Sequence, residues 1–134
     1  VEALGNFGSM IGIAYQLQDD ILNISKCSLS ETKGGVGEDI TEGKMTLLVI
    51  YTLDNANDKD KKRLIEILKL HTMDPILINE AIEIIDRYNA KVYTQHMAAK
   101  IVKEAWNNLN KKIPESNAKN RLKEISEFLI NRTI

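Results

Sequence analysis

The sequence predicts an all-α protein, and three observations carry that prediction. Apolar residues recur at three- and four-residue spacing along most of the chain. No segment alternates apolar with polar side chains as a half-buried strand would. Proline occurs only at Pro75 and Pro114, which leaves long stretches free to be helical. Helices of such lengths suit a bundle.

The elements follow in chain order. Ala3 to Ile24 is apolar, with Phe7, Met10, Ala14, Leu17 and Ile21 at helical spacing, and predicts a buried helix. Gly5, Gly8 and Gly12 each cost about 1 kcal/mol of helix propensity against Ala. Gly8 and Gly12 lie four apart on one face, where they would let a neighbouring helix approach closely. Ser25 to Gly43 is rich in Ser, Thr and Gly and reads as a loop. Lys44 to Asp54 reads as a short apolar helix. Asp58 can cap a helix from about Lys59 to His71, with Leu64, Ile67 and Leu68 inward. Asp74 followed by Pro75 marks the next helix start. Ala81, Ile85, Tyr88, Val92, Ala99, Val102, Leu109 and Ile113 then form a long stripe. It is either one helix or two joined near Asn89. Pro114 stops it, and Ser116 caps a final helix with Ala118, Leu122, Ile125 and Leu129 inward.

Composition bounds the function. Apolar residues make up 43% and charged residues 28%, an ordinary globular mixture in a 134-residue chain. The net charge of −1 argues against a nucleic-acid partner. Charge is uneven, however: residues 1–56 carry three Lys against eight Asp or Glu, whereas the rest is net basic. A solvated acidic loop would explain that as well as a cation site would. No run of 18 apolar residues exists to span a membrane. Cys27 is the only cysteine, which excludes an internal disulfide and suits a reducing compartment; a cytoplasmic location is expected.

The informative stretch is Tyr15-Gln16-Leu17-Gln18-Asp19-Asp20-Ile21-Leu22-Asn23. On a helix, Gln16, Asp19, Asp20 and Asn23 fall at i, i+3, i+4 and i+7, on one face near the C-terminal end. Two adjacent carboxylates there repel each other and meet the negative end of the helix dipole. A hard divalent cation, ringed by carboxylate and amide oxygens, would offset the penalty. A helix end that simply surfaces into water would do so too.

The loop adds Lys33-Gly34-Gly35-Val36-Gly37 and Glu38-Asp39-Ile40-Thr41-Glu42-Gly43-Lys44. Glycines let backbone amides approach an anion, and lysines neutralise phosphate charge. A plain surface connection has the same composition. A nucleotide P-loop is excluded, because Gly37 and Gly43 enclose five residues and Met45 follows Lys44.

Together these segments resemble the polyprenyl synthetase family. That family's second aspartate-rich region reads Phe-Gln-x-x-Asp-Asp-x-x-Asp, followed by a Gly/Lys loop and a Gly-Lys-x-Thr helix start. Here Tyr15, Gln16, Asp19, Asp20 and Asn23 occupy the first pattern, and Asp39, Gly43, Lys44 and Thr46 continue it. The tail, with Pro114, Ser116, Leu122 and Phe128, resembles the family's final helix. The likeness is greatest to geranylgeranyl diphosphate synthases.

The resemblance implies an isoprenoid-synthase-type helical bundle, of which residues 1–134 would form the C-terminal half of a single domain. It implies a magnesium-dependent prenyl transfer. An allylic diphosphate held by three Mg²⁺ ionises, and isopentenyl diphosphate attacks the resulting cation. By match, Asp19 would be the principal Mg²⁺ ligand on this side, with Asp20 and Asn23 close by. Gln16 would orient the diphosphate and stabilise positive charge, and Lys33 and Lys44 would contact diphosphate. The first aspartate-rich motif and the isopentenyl-diphosphate-binding basic residues would precede Val1, so these residues alone are expected to be inactive. A homodimer is also implied.

Three positions depart from the family pattern. Asn23 replaces Asp, which weakens direct ligation. Lys33 precedes Asp39 by six residues where four or five are usual. Leu48 stands where Pro is frequent. Other functions compete with this one. A class I terpene cyclase shares fold class and magnesium chemistry but not the Gly-Lys-x-Thr region. A non-catalytic partner subunit would not need Asp19, Asp20 and Lys44 intact. A plain helical interaction module would explain the periodicity alone. His71 and His96 are expected at the surface, Tyr88 and Trp106 in packing, Arg132 in solvent, and Lys59-Asp60-Lys61-Lys62-Arg63 as a solvated helix start.

Overall fold

A computed structural model describes residues 2–25 and 37–130, and within that span the backbone of every residue and the side chains up to Phe128. Cys27, Lys33, Gly34, Gly35, Val36, Arg132 and the Leu129 side chain lie outside the described residues. The described residues form helices and no strands, as the periodicity predicts. In order they are α1 (Glu2–Ser25), α2 (Glu38–Glu42), α3 (Leu47–Asn55), α4 (Asp58–Leu70), α5 (Pro75–Arg87), α6 (Ala90–Asn110) and α7 (Asn117–Ile130).

The chain divides into two compact units, Asp19–Thr94 and the remainder, Val1–Gln18 with Gln95–Ile134. The Asp19–Thr94 unit holds the end of α1, all of α2 to α5 and the start of α6. Its core is built of Ile21, Ile24, Ile40, Leu48, Val49, Leu64, Ile67, Ile82, Ile85 and their buried neighbours. α4 lies against α5, and the short α2 rests on both. Local caps set the helix starts. Thr46 accepts from the Val49 N–H, Asn57 from the Asp60 N–H, and Asp74 from the Ile76 N–H with Pro75 behind it. The α4 cap is therefore Asn57 and not Asp58, and the α3 helix starts beyond Lys44, because each capping side chain reaches the N–H it satisfies.

The long stripe is two helices. α5 ends at Arg87, and Asn89 takes a left-handed conformation, φ 59°, before α6. That one residue resets the helical phase. Val92 and Ala99, expected inward, are exposed, while Ala90, Thr94, Ala98, Val102, Ala105 and Leu109 are buried.

The helix-start run at Lys59 is less solvated than its charges suggest. Asp60 is buried, accepting from Arg87 at 2.8 Å and from the Tyr88 hydroxyl at 2.6 Å. The same Tyr88 hydroxyl accepts from the Asn57 N–H. Hydrogen bonds from Tyr88 and then Arg87 hold the Asp60 carboxyl below the usual range. Arg63 pairs with Glu80 across α4 and α5 and with Glu66 along α4. Stacked Tyr51 and Tyr93 rings, 4.1 Å between centroids, join α3 to the start of α6.

In the second unit Phe7 and Trp106 meet edge to face, and Phe7, Ala105 and Leu109 form a core flanked by Met10, Ile113 and Leu122. Ser116 caps α7 by accepting from the Lys119 N–H. The buried face of α7 carries Lys119 and Ser126, whereas Ala118 and Ile125 are exposed. The reason is polar: the Lys119 ammonium donates to the Asn110 and Ile113 carbonyls and to Glu115, closing the end of α6. α1 is buried on one side only. Leu4, Ile13 and Tyr15 are exposed, and a Cβ added at Gly5, Gly8 or Gly12 would meet nothing within 4 Å. No neighbouring helix within the described residues approaches that glycine face.

Candidate functional site

Asp19, Asp20 and Asn23 stand on the last two turns of α1, and α2 lies beside them. Two hydrogen bonds fix that arrangement. The Asn23 carbonyl accepts from the Gly37 N–H at 3.0 Å, and Asn23 Oδ1 accepts from the Asp39 N–H at 3.2 Å. Asn23 thus anchors the start of α2 with both its oxygens. Gly37 precedes α2 at φ 76° and Gly43 follows it at φ 68°, left-handed conformations in which glycine is favoured. Gly43 lets the chain turn back, so that the Lys44 N–H bonds the Asp39 carbonyl at 2.9 Å.

That turn delivers the Lys44 ammonium to Asp20. Nζ lies 3.3 Å from Asp20 Oδ1, with the Asp20 side chain buried and that of Lys44 near half exposed. The hydrogen bond to Asp20 raises the Lys44 pKa further above its ordinary value. Asp39 responds to the same surroundings. Burial pushes its carboxyl up, Lys44 pulls it down, and Asp20, Glu42 and Asp19 push it up again. Three carboxylates beyond Asp39 itself therefore share one electrostatic neighbourhood, and Lys44 is the cation set among them.

A helix dipole acts mainly on its last turn. α1 runs on to Ser25, so for Asp20 the cost lies in burial and carboxylate repulsion more than in the dipole. Lys44 offsets part of that cost, a compensation that helical spacing alone does not reveal.

The structure brings Asp20, Asn23 and Lys44 together, with Asp19 exposed on the same helical stretch. Gln16 is exposed on α1 in the other unit. Sequence reasoning assigned no role to Asp39 beyond its place in the pattern, nor to the residues that hold α2 from behind. The Thr41 hydroxyl donates to the Thr72 carbonyl at 2.7 Å, and His71 Nδ1 lies 3.0 Å from the Thr41 carbonyl. His71 is exposed, as expected, but it ends α4 in a left-handed conformation and touches α2. No short-range pattern signals a contact thirty residues away. Among the described residues, no group of three or more His, Cys, Asp or Glu is placed to hold a metal ion. Nor is any described helix long and apolar enough to cross a membrane.

The arrangement is an acidic, oxygen-rich helix end faced by a lysine that follows a short helix, within an all-α scaffold. Comparison with known proteins agrees with it. The model of the polyprenyl synthetase family matches residues 1–85, and the chain belongs to that family. A short chain isoprenyl diphosphate synthase of Methanothermobacter thermautotrophicus is 41% identical over 132 residues, which cover 98% of this chain and 39% of that protein. A geranylgeranyl diphosphate synthase of Sulfolobus acidocaldarius is 33% identical over 133 residues, 98% of this chain and 40% of that one. The crystal structure of a geranylgeranyl pyrophosphate synthetase from Pyrococcus horikoshii superposes with a TM-score of 0.81 at 32% identity. It aligns with 98% of this chain and 39% of its own. The chain thus spans about two fifths of the length of these relatives.

Proposed function

We propose that the protein carrying this chain condenses isopentenyl diphosphate with an allylic diphosphate to give a longer trans-polyprenyl diphosphate of about C20. The chain would be the C-terminal part of one synthase domain. The observation that carries this is the pairing of Asp20, on the helical stretch it shares with the exposed Asp19, with Lys44 just beyond α2, in a chain whose relatives are named as isoprenyl and geranylgeranyl diphosphate synthases.

The donor set fits magnesium. Asp19 and Asp20 offer hard carboxylate oxygens, and Mg²⁺ is ordinarily held by one or two carboxylates, its other positions going to water and substrate phosphates. A bound Mg²⁺ would neutralise charge as the diphosphate leaves. Asp19 is exposed and Asp20 buried, so Asp19 would be the more accessible to an incoming metal ion. Asn23 Oδ1 is engaged with the Asp39 N–H, so Asn23 serves the site chiefly by setting α2. Lys44 would supply a half-exposed ammonium for the diphosphate. Gln16 and Lys33 extend the diphosphate contacts on the family resemblance. Assembly as a homodimer is likewise inferred from the family resemblance alone.

Turnover of farnesyl diphosphate with isopentenyl diphosphate by the complete protein tests the proposal. Activity should vanish in EDTA and fall at least a hundredfold in Asp19→Ala, roughly the scale of losing one electrostatic stabiliser of a leaving group. An unchanged rate in Asp19→Ala removes that residue from the site.

A further inference from the structure

α2 is five residues long, far below the ~12–15 that a helix needs to persist alone in water. Its start has no side-chain cap, and a glycine flanks it on each side. One buried side chain, Ile40, ties it to the core and cannot by itself fix its tilt. Its placement therefore comes from bonds at its two ends. At the start, Asn23 accepts from the Gly37 and Asp39 N–H groups. At the other end the bonds converge on Thr41. Its hydroxyl donates to the Thr72 carbonyl at 2.7 Å, and its carbonyl lies 3.0 Å from His71 Nδ1. A carbonyl only accepts, so Nδ1 carries the proton. Gly43 closes on the same corner: a Cβ there would stand 3.1 Å from both His71 Cε1 and the Leu68 carbonyl oxygen.

We propose that His71 is a positioning residue, whose imidazole holds the end of α2 through Thr41 and so sets Lys44 for the diphosphate. The inference rests on the function proposed above. His71 ends α4 at φ 48°, a conformation that glycine adopts more readily. Glycine would serve that turn, but it could not reach Thr41. Lys44 lies three residues beyond Thr41, and its N–H bonds the Asp39 carbonyl, so it travels with α2. Without the imidazole the end of α2 opens more often, and an arriving diphosphate must first bring it back. Affinity then falls by the fraction of protein in the competent state. Asparagine reproduces the donor, because its Nδ2 stands as many bonds from the backbone as Nδ1 of histidine, and it accepts the left-handed conformation. Glutamine carries its donor one carbon too far.

The complete protein is assayed with farnesyl diphosphate and isopentenyl diphosphate, and amide hydrogen exchange is followed without ligand. His71→Gly should raise the KM for farnesyl diphosphate about fivefold, the equivalent of one hydrogen bond, with kcat held within about twofold. His71→Gln should do the same, and His71→Asn should bring KM back to within about twofold of wild type. A histidine that only supports the fold gives the reverse split, since a smaller folded fraction lowers kcat and leaves KM alone. In a Lys44→Met background, whose own KM is raised, His71→Gly should add less than about twofold. Exchange should quicken about fivefold at the Thr41 and Lys44 amides, and less at Ile67 and Ile85 in the core. An unchanged KM in His71→Gly, no rescue by asparagine, or equal quickening at every amide overturns the inference and leaves the proposed function standing. So does a KM unmoved in Lys44→Met, which would leave no diphosphate contact to position. If the wild-type protein does not turn over this substrate pair, the proposed function fails and the inference with it.

Discussion

Replacing Gly37 by alanine tests the hinge that carries the site. Gly37 is buried at φ 76°, its N–H bonds the Asn23 carbonyl, and it opens the short helix that presents Asp39. An L-residue held in the left-handed region costs about 1–2 kcal/mol. The new methyl would also fall on Cγ2 of Ile78, a buried side chain whose neighbours are core residues. Overpacking of that kind costs about 1–3 kcal/mol. Together the two amount to about 2–5 kcal/mol, a large share of the ~5–15 kcal/mol typical of a whole domain. Urea unfolding of the 134-residue chain, followed by circular dichroism, reads the change in midpoint. Ile78→Ala removes the overlapping methyl, so Gly37→Ala should cost only the backbone part, about 1–2 kcal/mol, in that background. A loss below about 1 kcal/mol for Gly37→Ala alone would show that the left-handed backbone does not constrain this turn, and no difference between the two backgrounds would show that Ile78 does not.

Further outcomes follow from particular side chains. Gly8→Ala in the same chain should gain about 0.5–1 kcal/mol, since its methyl meets nothing within 4 Å and helix propensity improves. A thermal midpoint that falls would reveal a neighbour on that face. Lys119→Met keeps the buried stem but leaves the Asn110 and Ile113 carbonyls without their ammonium donor, at a cost of about 1–3 kcal/mol in unfolding. Asp60 has a folded pKa below its unfolded value, so its contribution is present above roughly pH 4 and is lost as pH falls through the folded value. Acid titration of Tyr88→Phe, which loses the largest cause of that depression, should show the acid-unfolding limb moved to higher pH; an unmoved limb would refute the assignment. Asp39 has the opposite sign, because its folded pKa is raised. Its charge costs stability as pH rises past the unfolded value, so Asp39→Asn should flatten that limb of the metal-free protein's stability curve.

Much of the fold was legible because it is local. α1, the Asp74-Pro75 start of α5 and the Ser116 cap of α7 depend on residues within a turn or two of each other, and each stands where spacing and capping chemistry place it. The candidate site was legible as residue types in order, Asp19 and Asp20 and then Gly43 and Lys44. What they would touch was not. Asn89 was legible as a possible join, but its left-handed conformation, which sets the phase of α6, was not. Burial of Asp60 and Lys119 ran against their charge, and only the partners that satisfy them, Arg87 and Tyr88 in one case and the end of α6 in the other, make it tolerable.

By itself, then, the sequence determined the helical class, most helix starts and the inventory of oxygen and ammonium groups, because propensity, period and capping act between near neighbours. Only the tertiary structure decided which charges pair. Asp20 meets Lys44, Asn23 holds Asp39, and His71 reaches Thr41, each across sixteen to thirty residues. An ion pair or hydrogen bond is governed by distance in space and by the water it excludes, and the packing of α2 on α4 and α5 sets both.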